Sequence, residues 1–281
     1  MQEAYQIVRL ANGTHSIHAV AERETFHPVI GPVAEAEALY VKQLNLRERL
    51  AASAGEFVIW DVGLGSAANV LTAVRATRDL APRLRIISFD RTLGPLQFAL
   101  EHADELGFIA GYERQLKELL EQGRSHFENV TWEMRLGDFP ARVRAAREEP
   151  PPHAIFFDAF SPAKNPAMWS APLFADLFRQ LDPARPCAMP TYSRSTMLRV
   201  TLLLAGFYVG VGHATGEKEE TTMAANDLAL LAEPLRRDWL TRARRSRSAE
   251  PMWEPVYRQA PLSAETWERL ENCHQFQAEK G

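Results

Sequence analysis

The stretch Phe57–Leu71, FVIWDVGLGSAANVL, admits few folds. Phe57, Val58, Ile59 and Trp60 form the short apolar run that a parallel strand buries on both faces. Asp61 ends that run. Gly63 and Gly65 carry no Cβ, so the backbone can turn sharply there and lie close to a ligand. Asn69 and the apolar residues after it begin a helix whose N-terminal N–H groups point back at the turn. A strand, a glycine turn and a helix in that order make a loop for a nucleotide-type cofactor.

Around this loop the chain alternates strands and helices. After Phe57–Asp61, strands are expected at Leu84–Asp90, Val130–Leu136, Ala154–Asp158, Cys187–Tyr192, Phe207–Val211 and Asp227–Leu231, with helical segments between most of them. The span Thr92–Leu120 is expected to be mostly helical, broken near Gly107–Gly111. Such alternation predicts an α/β fold, a mostly parallel seven-stranded sheet with helices on both faces and right-handed crossovers. Before the loop, Asn12-Gly13 predicts a hairpin of Tyr5–Leu10 and His15–Val20, and the spacing predicts a helix over Val33–Leu50. Three regions result: 1–55, a hairpin and helix; 56–235, the α/β body; and 236–281, an arginine-rich run followed by a tail with Trp253, Tyr257 and Trp267 that docks on the body.

Composition excludes some classes. The 281 residues carry a net charge of −4, so no global positive field points to nucleic acid, although a local patch can serve. Apolar runs fall short of the roughly 20 residues that span a bilayer, and MQEAYQIVRL lacks the apolar core of a signal peptide. Two cysteines, Cys187 and Cys273, make no disulfide framework. A cytoplasmic protein with no membrane partner is expected. The eight histidines show no H-x-x-x-H spacing, so no metal is expected. Ser161 lacks the G-x-S-x-G setting of a hydrolase.

Four successive strands end in aspartate: Asp61, Asp90, Asp138 and Asp158. Aspartate is a poor strand residue and is costly to bury unpaired. In an open α/β sheet the ligand sits at the carboxyl ends of the strands. Asp90, about 25 residues past the glycine turn, suits ribose hydroxyls. Asp138 suits an adenine amino group, Asp61 an ammonium, and Asp158 the reacting end. Gly63-Leu64-Gly65-Ser66-Ala67-Ala68 also fits G-x-G-x-x-G/A, which leaves NAD open. The acid two residues before Gly63, Asp138 and the loop after Asp158 favour S-adenosylmethionine, whose cationic, pyrophosphate-free structure calls for carboxylates.

That loop, Asp158-Ala159-Phe160-Ser161-Pro162-Ala163-Lys164-Asn165-Pro166 with Met168-Trp169, closely resembles the DAFSPxKNPxxW motif of the MnmC-like methyltransferase family. Phe26-His27 with Gly31, Ala34 and Glu35 is similar to the family's HSxxGAxxE entry. Asp61–Asn69 is similar to its ExGxGxGxN loop, and Thr191-Tyr192-Ser193 with Arg199 and Ala205-Gly206-Phe207 to its TYSxxGxVRxxLxxAGF segment. The resemblance spans about residues 5 to 230. It implies a Rossmann-like class I methyltransferase that N-methylates an aminomethyl group on tRNA wobble uridine. Asp158 is then the catalytic group. Asp61, Gly63, Gly65, Asn69, Asp90, Asp138 and Glu35 bind S-adenosyl-L-methionine. Phe160, Ser161, Pro162, Lys164, Asn165, Tyr192 and His27 face the acceptor. Departures are Asp61 for the family's glutamate, Ala67 for its third glycine, Thr196 for the glycine after Tyr-Ser, and Glu217 and Glu219 for two arginines of its GRKREM segment. Alternatives are another methyl acceptor, a silent cofactor-binding member, and an NAD oxidoreductase.

Overall fold

The Asn12-Gly13 turn forms as its chemistry requires. Gly13 takes φ +86°, and the Asn12 side chain accepts from Thr14 N at 3.1 Å. It joins β1 (Tyr5–Arg9) to β2 (His15–Ala19), antiparallel with Ile7 opposite Ile17. In the computed structural model, which describes residues 4–145, 148–216 and 219–277, a short β3 (Glu24–Thr25) also pairs with β2. The expected hairpin is therefore a three-stranded sheet. The helix expected over 33–50 is interrupted. It runs as an α-turn at Pro32–Ala36, a π-turn at Glu37–Lys42, and an α-helix at Leu46–Ala51 entered through Asn45 at φ +47°.

The chain divides into two compact units. The first comprises Met1–Phe139, Ala154–Asp158 and His213–Glu219. Its centre is β4 (Phe57–Val62), six consecutive buried residues, flanked in parallel by β5 (Leu84–Asp90). Next come β6 (Arg124–Phe127), β7 (Val130–Leu136) and β8 (Ala154–Phe157). β8 lies parallel to β4, β7 parallel to β5, and β6 antiparallel to β7. A strand buried on both faces needs an apolar run, and β4 has one from Phe57 to Trp60 before Asp61. Helix Ala68–Thr77 follows the glycine turn. The Thr92–Leu120 span resolves into helices Gly94–Glu101, Ala103–Leu106 and Glu113–Gln122, with the break at the expected glycines.

The second unit comprises Pro140–His153, Ala159–Gly212 and Glu220–Gly281. It carries β9 (Ala188–Thr191), β10 (Tyr208–Gly212) and β11 (Thr221–Ala225), with β11 antiparallel to both others. Helix Ala171–Gln180 meets helix Thr196–Ala205 where Gly206, at φ +109°, leaves room for Phe178; a Cβ there would stand 2.8 Å from the ring. Ser170 precedes the first of these helices but makes no side-chain cap, its hydroxyl donating to Ala167 O instead. The tail docks within this unit. Met252 O accepts from Ala171 N at 2.8 Å, and Gln275 bonds Val209 N and O at 2.7 and 2.9 Å.

Among the described residues the two units hold five and three of these α/β strands, eight where seven were expected. β6 is the addition. The expected strand at 227–231 is a 3-10 turn at Leu228–Leu230, which Asp227 caps through Ala229 N at 2.9 Å; the strand lies at Thr221–Ala225 instead. Among the described residues, no helix is long and apolar enough to cross a membrane.

Candidate active site

The glycine turn is built by backbone that side chains with a Cβ rarely adopt. Gly63 stands at φ +96°, Gly65 at +52° and Ala67 at +67°. Ala67, at the place of the family's third glycine, takes the left-handed conformation at a cost of about 1–2 kcal/mol. Gly63 N donates to Phe89 O at 2.9 Å, which ties the turn to the end of β5. A Cβ on Gly65 would lie 3.4 Å from the Phe26 ring, so the first strands of the chain cover the turn closely.

Two of the strand-end aspartates are held in different ways. Asp90 is bound by backbone. Its Oδ2 accepts from Gly65 N at 3.0 Å, and its Oδ1 from Arg91 N at 2.7 Å and Thr92 N at 3.2 Å. Burial pushes its carboxyl up, against those three N–H donors. Asp61 is buried more deeply and has less help. Ser88 donates to its Oδ2 at 2.6 Å, and Trp132 Nε1 in turn donates to Ser88 Oγ at 2.9 Å, a relay across β7, β5 and β4. Asp61 Oδ1 is buried without a partner. Burial raises its pKa to about 7, offset in part by the Ser88 hydroxyl and reinforced by Asp158 and Asp90. Ser88 was not among the expected site residues; a lone hydroxyl in the middle of LRIISFD was its only signal. Asp138 is exposed in the turn after β7, beside Gly137, whose N donates to Asp90 O at 2.8 Å.

Asp158 stands at the head of a polar chain. Asn69 Nδ2 donates to its Oδ2 at 2.8 Å, and His27 Nε2 lies 3.5 Å from the same oxygen. His27 Nδ1 donates to Glu35 Oε1 at 3.1 Å. One polar side-chain atom from each of His27, Glu35 and Asp158 lies within 4.8 Å of the other two. Burial by itself would lower the His27 pKa, but Asp158 and the hydrogen-bonded Glu35 outweigh it and hold the imidazole at about 9. At neutral pH an imidazolium therefore sits between two carboxylates and supplies the positive charge both require. His27 also holds φ +46°, an unusual backbone for a residue with a Cβ. Asn69, expected on the cofactor side, thus reaches Asp158, and residues expected on opposite sides of the site, His27 and Glu35, form one array.

The pH consequence has a definite sign. The folded chain binds the His27 proton more tightly than the unfolded chain does. Its stabilising contribution is complete below about pH 6.5 and is lost as pH rises through about 9. Melting temperature is expected to decline across that window from this residue, and His27→Gln to flatten the decline. An unchanged slope in the variant would show that the imidazole is not protonated.

The loop following Asp158 belongs to the second unit and is fastened by aromatic side chains. Trp169, fully buried, donates from Nε1 to Phe160 O at 2.7 Å. Tyr192 OH donates to Ala159 O at 3.0 Å, and the two rings meet edge-on with centroids 5.7 Å apart. Lys164 N and Asn165 N both donate to Ser161 O at 2.9 Å, closing a tight turn next to Pro162. Phe160, Ser161, Pro162, Asn165 and Tyr192 are half-buried, while Lys164 is exposed.

Against known proteins, residues 108–227 match the family profile described as "S-adenosyl-L-methionine-dependent methyltransferase". A "tRNA 5-methylaminomethyl-2-thiouridine biosynthesis bifunctional protein MnmC" of Pseudomonas fluorescens is 33% identical over 196 residues, 64% of this chain and 29% of the relative. The protein of the same name from Ectopseudomonas mendocina is 30% identical over 213 residues, 67% of this chain and 29% of the relative. The chain thus spans less than a third of the length of these relatives. Among solved structures, MNMC2 from Aquifex aeolicus superposes with a TM-score of 0.71 at 25% identity, covering 96% of this chain and 84% of that one. A spermidine synthase shares the fold at a TM-score of 0.52 and 9% identity, over 98% of this chain and 84% of that one.

Proposed function

Because the chain belongs to the MnmC-like family of S-adenosyl-L-methionine-dependent methyltransferases, we propose that its methyl acceptor is an amine, the aminomethyl group of a tRNA wobble uridine. The observation that carries this reading is the Asp158 carboxylate, fixed by Asn69 and His27 at the end of β8 and followed directly by the DAFSP loop.

The residues present fit the cofactor. Asp61 Oδ1 and Asn69 Oδ1 are buried acceptors without partners, the complement of a ligand that carries an ammonium group. When bound, S-adenosyl-L-methionine would supply a methyl group on a sulfonium, whose neutral thioether needs no acid assistance to leave. Asp61 would pair with its ammonium, Asp90 would accept from ribose hydroxyls, and Asp138 would accept from the adenine amino group. Gly63 and Gly65 let the backbone approach the ligand, and Glu35 borders it through His27.

The chain's remaining task concerns the acceptor. An alkylamine in water is largely protonated, and its lone pair is then unavailable. Asp158 takes a proton from the ammonium, which leaves a neutral amine to attack and a protonated carboxyl to return the proton to water. The imidazolium of His27 and the amide of Asn69 hold the carboxylate in place. Phe160, Ser161, Pro162, Lys164, Asn165 and Tyr192 contact the nucleotide, with Trp169 fixing the loop's shape.

Mass spectrometry of tRNA nucleosides tests the substrate. A strain lacking this gene is expected to accumulate the aminomethyl wobble uridine and lose its methylated form, and purified chain with cofactor to restore it. Wobble uridines identical in both strains would remove this acceptor and leave a methyltransferase of another amine.

A further inference from the structure

Six arginines lie between positions 236 and 247, and the structure sorts them by what each side chain touches. Arg242, on helix Trp239–Arg245, donates to Glu220 at 2.9 Å. Glu220 also lies 3.4 Å from Arg199, a buried guanidinium that donates to Thr221 O at 2.7 Å and Thr222 Oγ1 at 3.1 Å. Glu220 is therefore neutralised within the fold, and Arg242 is tied down. Of the two glutamates that replace arginines of the family's GRKREM segment, Glu219 is exposed, and Glu217 lies outside the described residues.

The other arginines are placed differently. Arg237 donates to Phe276 O at 3.3 Å. Arg244 lies over the Trp267 ring, its guanidinium carbon 4.6 Å from the centroid. Arg245 is exposed and has no hydrogen bond or ion pair among the described residues. With Thr241 and Glu271 these side chains line a groove of about 330 Å³, its walls the helices Trp239–Arg245 and Ala264–Glu271. Three arginines against one glutamate leave it a formal charge of +2. It lies beyond residues 108–227, where the family profile matches.

We propose that this groove holds a segment of RNA backbone, with a base stacked on the Arg244–Trp267 pair; this rests on tRNA being the substrate. Guanidinium forks match phosphate oxygens; Arg245 offers its fork at the cleft, and Arg237, bonded to Glu271 O and Phe276 O, adds its charge to the lining. A guanidinium already seated on an indole offers its outer face to a base, as aromatic and arginine planes do in proteins that hold unpaired nucleotides. A merely solvated helix face needs neither an aromatic floor nor a concavity. An acidic protein would use the charges and leave the stacking surface idle. The chain's overall negative charge makes a local site necessary, since no global field draws RNA in.

The test compares the full chain with R244A/R245A, with Trp267→Leu, and with R236A/R247A, whose exposed arginines lie outside the groove. The probe is tRNA purified from a strain lacking this gene. R244A/R245A is expected to raise the tRNA KM about tenfold with kcat, cofactor affinity and melting temperature unchanged, and to reduce the slope of log K against log salt by about 0.7–0.9, the share of the Arg245 phosphate contact. Trp267→Leu is expected to weaken binding about tenfold at every salt concentration with the slope intact. An equal loss in R236A/R247A would overturn the groove in favour of diffuse charge. Unchanged tRNA affinity in the groove variants, while the parent methylates tRNA, would overturn the groove alone. A parent chain that neither binds nor methylates tRNA would overturn the substrate reading itself. Tight, Trp267-dependent binding of polyglutamate with no effect on tRNA would assign the groove to an acidic protein instead.

Discussion

Asp158→Asn is expected to lower kcat by a factor on the order of 10³, the usual range for loss of a positioned proton acceptor. The change keeps the shape of the side chain, so Asn69 and His27 still find an oxygen to bond. Cofactor affinity is expected to stay within about threefold of the parent, since the assigned cofactor contacts lie elsewhere. The measurement is methyl incorporation into tRNA from labelled cofactor, with calorimetry for binding. A second readout separates catalysis from misfolding. Asp158 is the largest single influence raising the His27 pKa, so in the variant the loss of stability above pH 6.5 should be smaller and should end well below pH 9. A variant with that shifted stability profile and full activity would remove Asp158 from the chemistry.

Asp61→Asn is expected to pull stability and cofactor binding in opposite directions. A carboxyl whose folded pKa is raised from 3.8 to about 7 costs the fold stability wherever it is ionised. The cost is absent below about pH 4, grows as pH rises, and is complete above about 7, where it is on the order of 4 kcal/mol. At pH 8 the asparagine variant without cofactor should therefore melt several degrees higher than the parent. The gain is reduced by about 1–3 kcal/mol because the new amide is itself buried where Oδ1 had no partner. At pH 4, where the parent's carboxyl is protonated and the ionisation cost is gone, only the buried-amide cost remains, and the variant should melt slightly lower than the parent. Cofactor affinity should fall on the order of a hundredfold, as when one member of a buried charge pair is truncated. In the parent, affinity should drop about tenfold per pH unit below 7, where Asp61 must release a proton to bind, and should also fall above about 8, where an α-amino group loses its charge. Calorimetry across pH 5–9 checks both limbs. Flat affinity from pH 5 to 7 would mean that Asp61 does not face the ammonium.

What could be read from the sequence was whatever burial makes costly. Asp61 and Asp90 stand out because aspartate interrupts apolar runs, and the structure puts both beside the glycine turn. The DAFSP loop stands out because two prolines and a tryptophan constrain it. Ser88 was nearly invisible: a single hydroxyl in a strand is an ordinary residue until its partners, Trp132 and Asp61, are seen on the neighbouring strands. The His27–Glu35–Asp158 array was hidden for a different reason. Its members are 8 and 123–131 residues apart in sequence, and only the fold makes them neighbours. The misplaced last strand shows local chemistry overriding pattern. Leu228–Leu231 is apolar, but Asp227 caps the backbone into a turn, whereas the small residues of Thr221–Ala225 fit between two strands.

The first unit is assembled from three separate stretches, and this bears on how the chain is made. β4 and its neighbour β5 lie close in sequence, but its other neighbour, β8, begins about 90 residues after β4 ends. At ribosomal rates of about 5–20 residues per second, that edge of a strand buried along its whole length waits roughly 5–20 seconds for its partner. Asp158 leaves the ribosome only with that partner, and His213–Glu219 later still. The His27–Glu35–Asp158 array is thus among the last features of its unit to form during synthesis, and an incomplete chain presents a sticky sheet edge before that array exists.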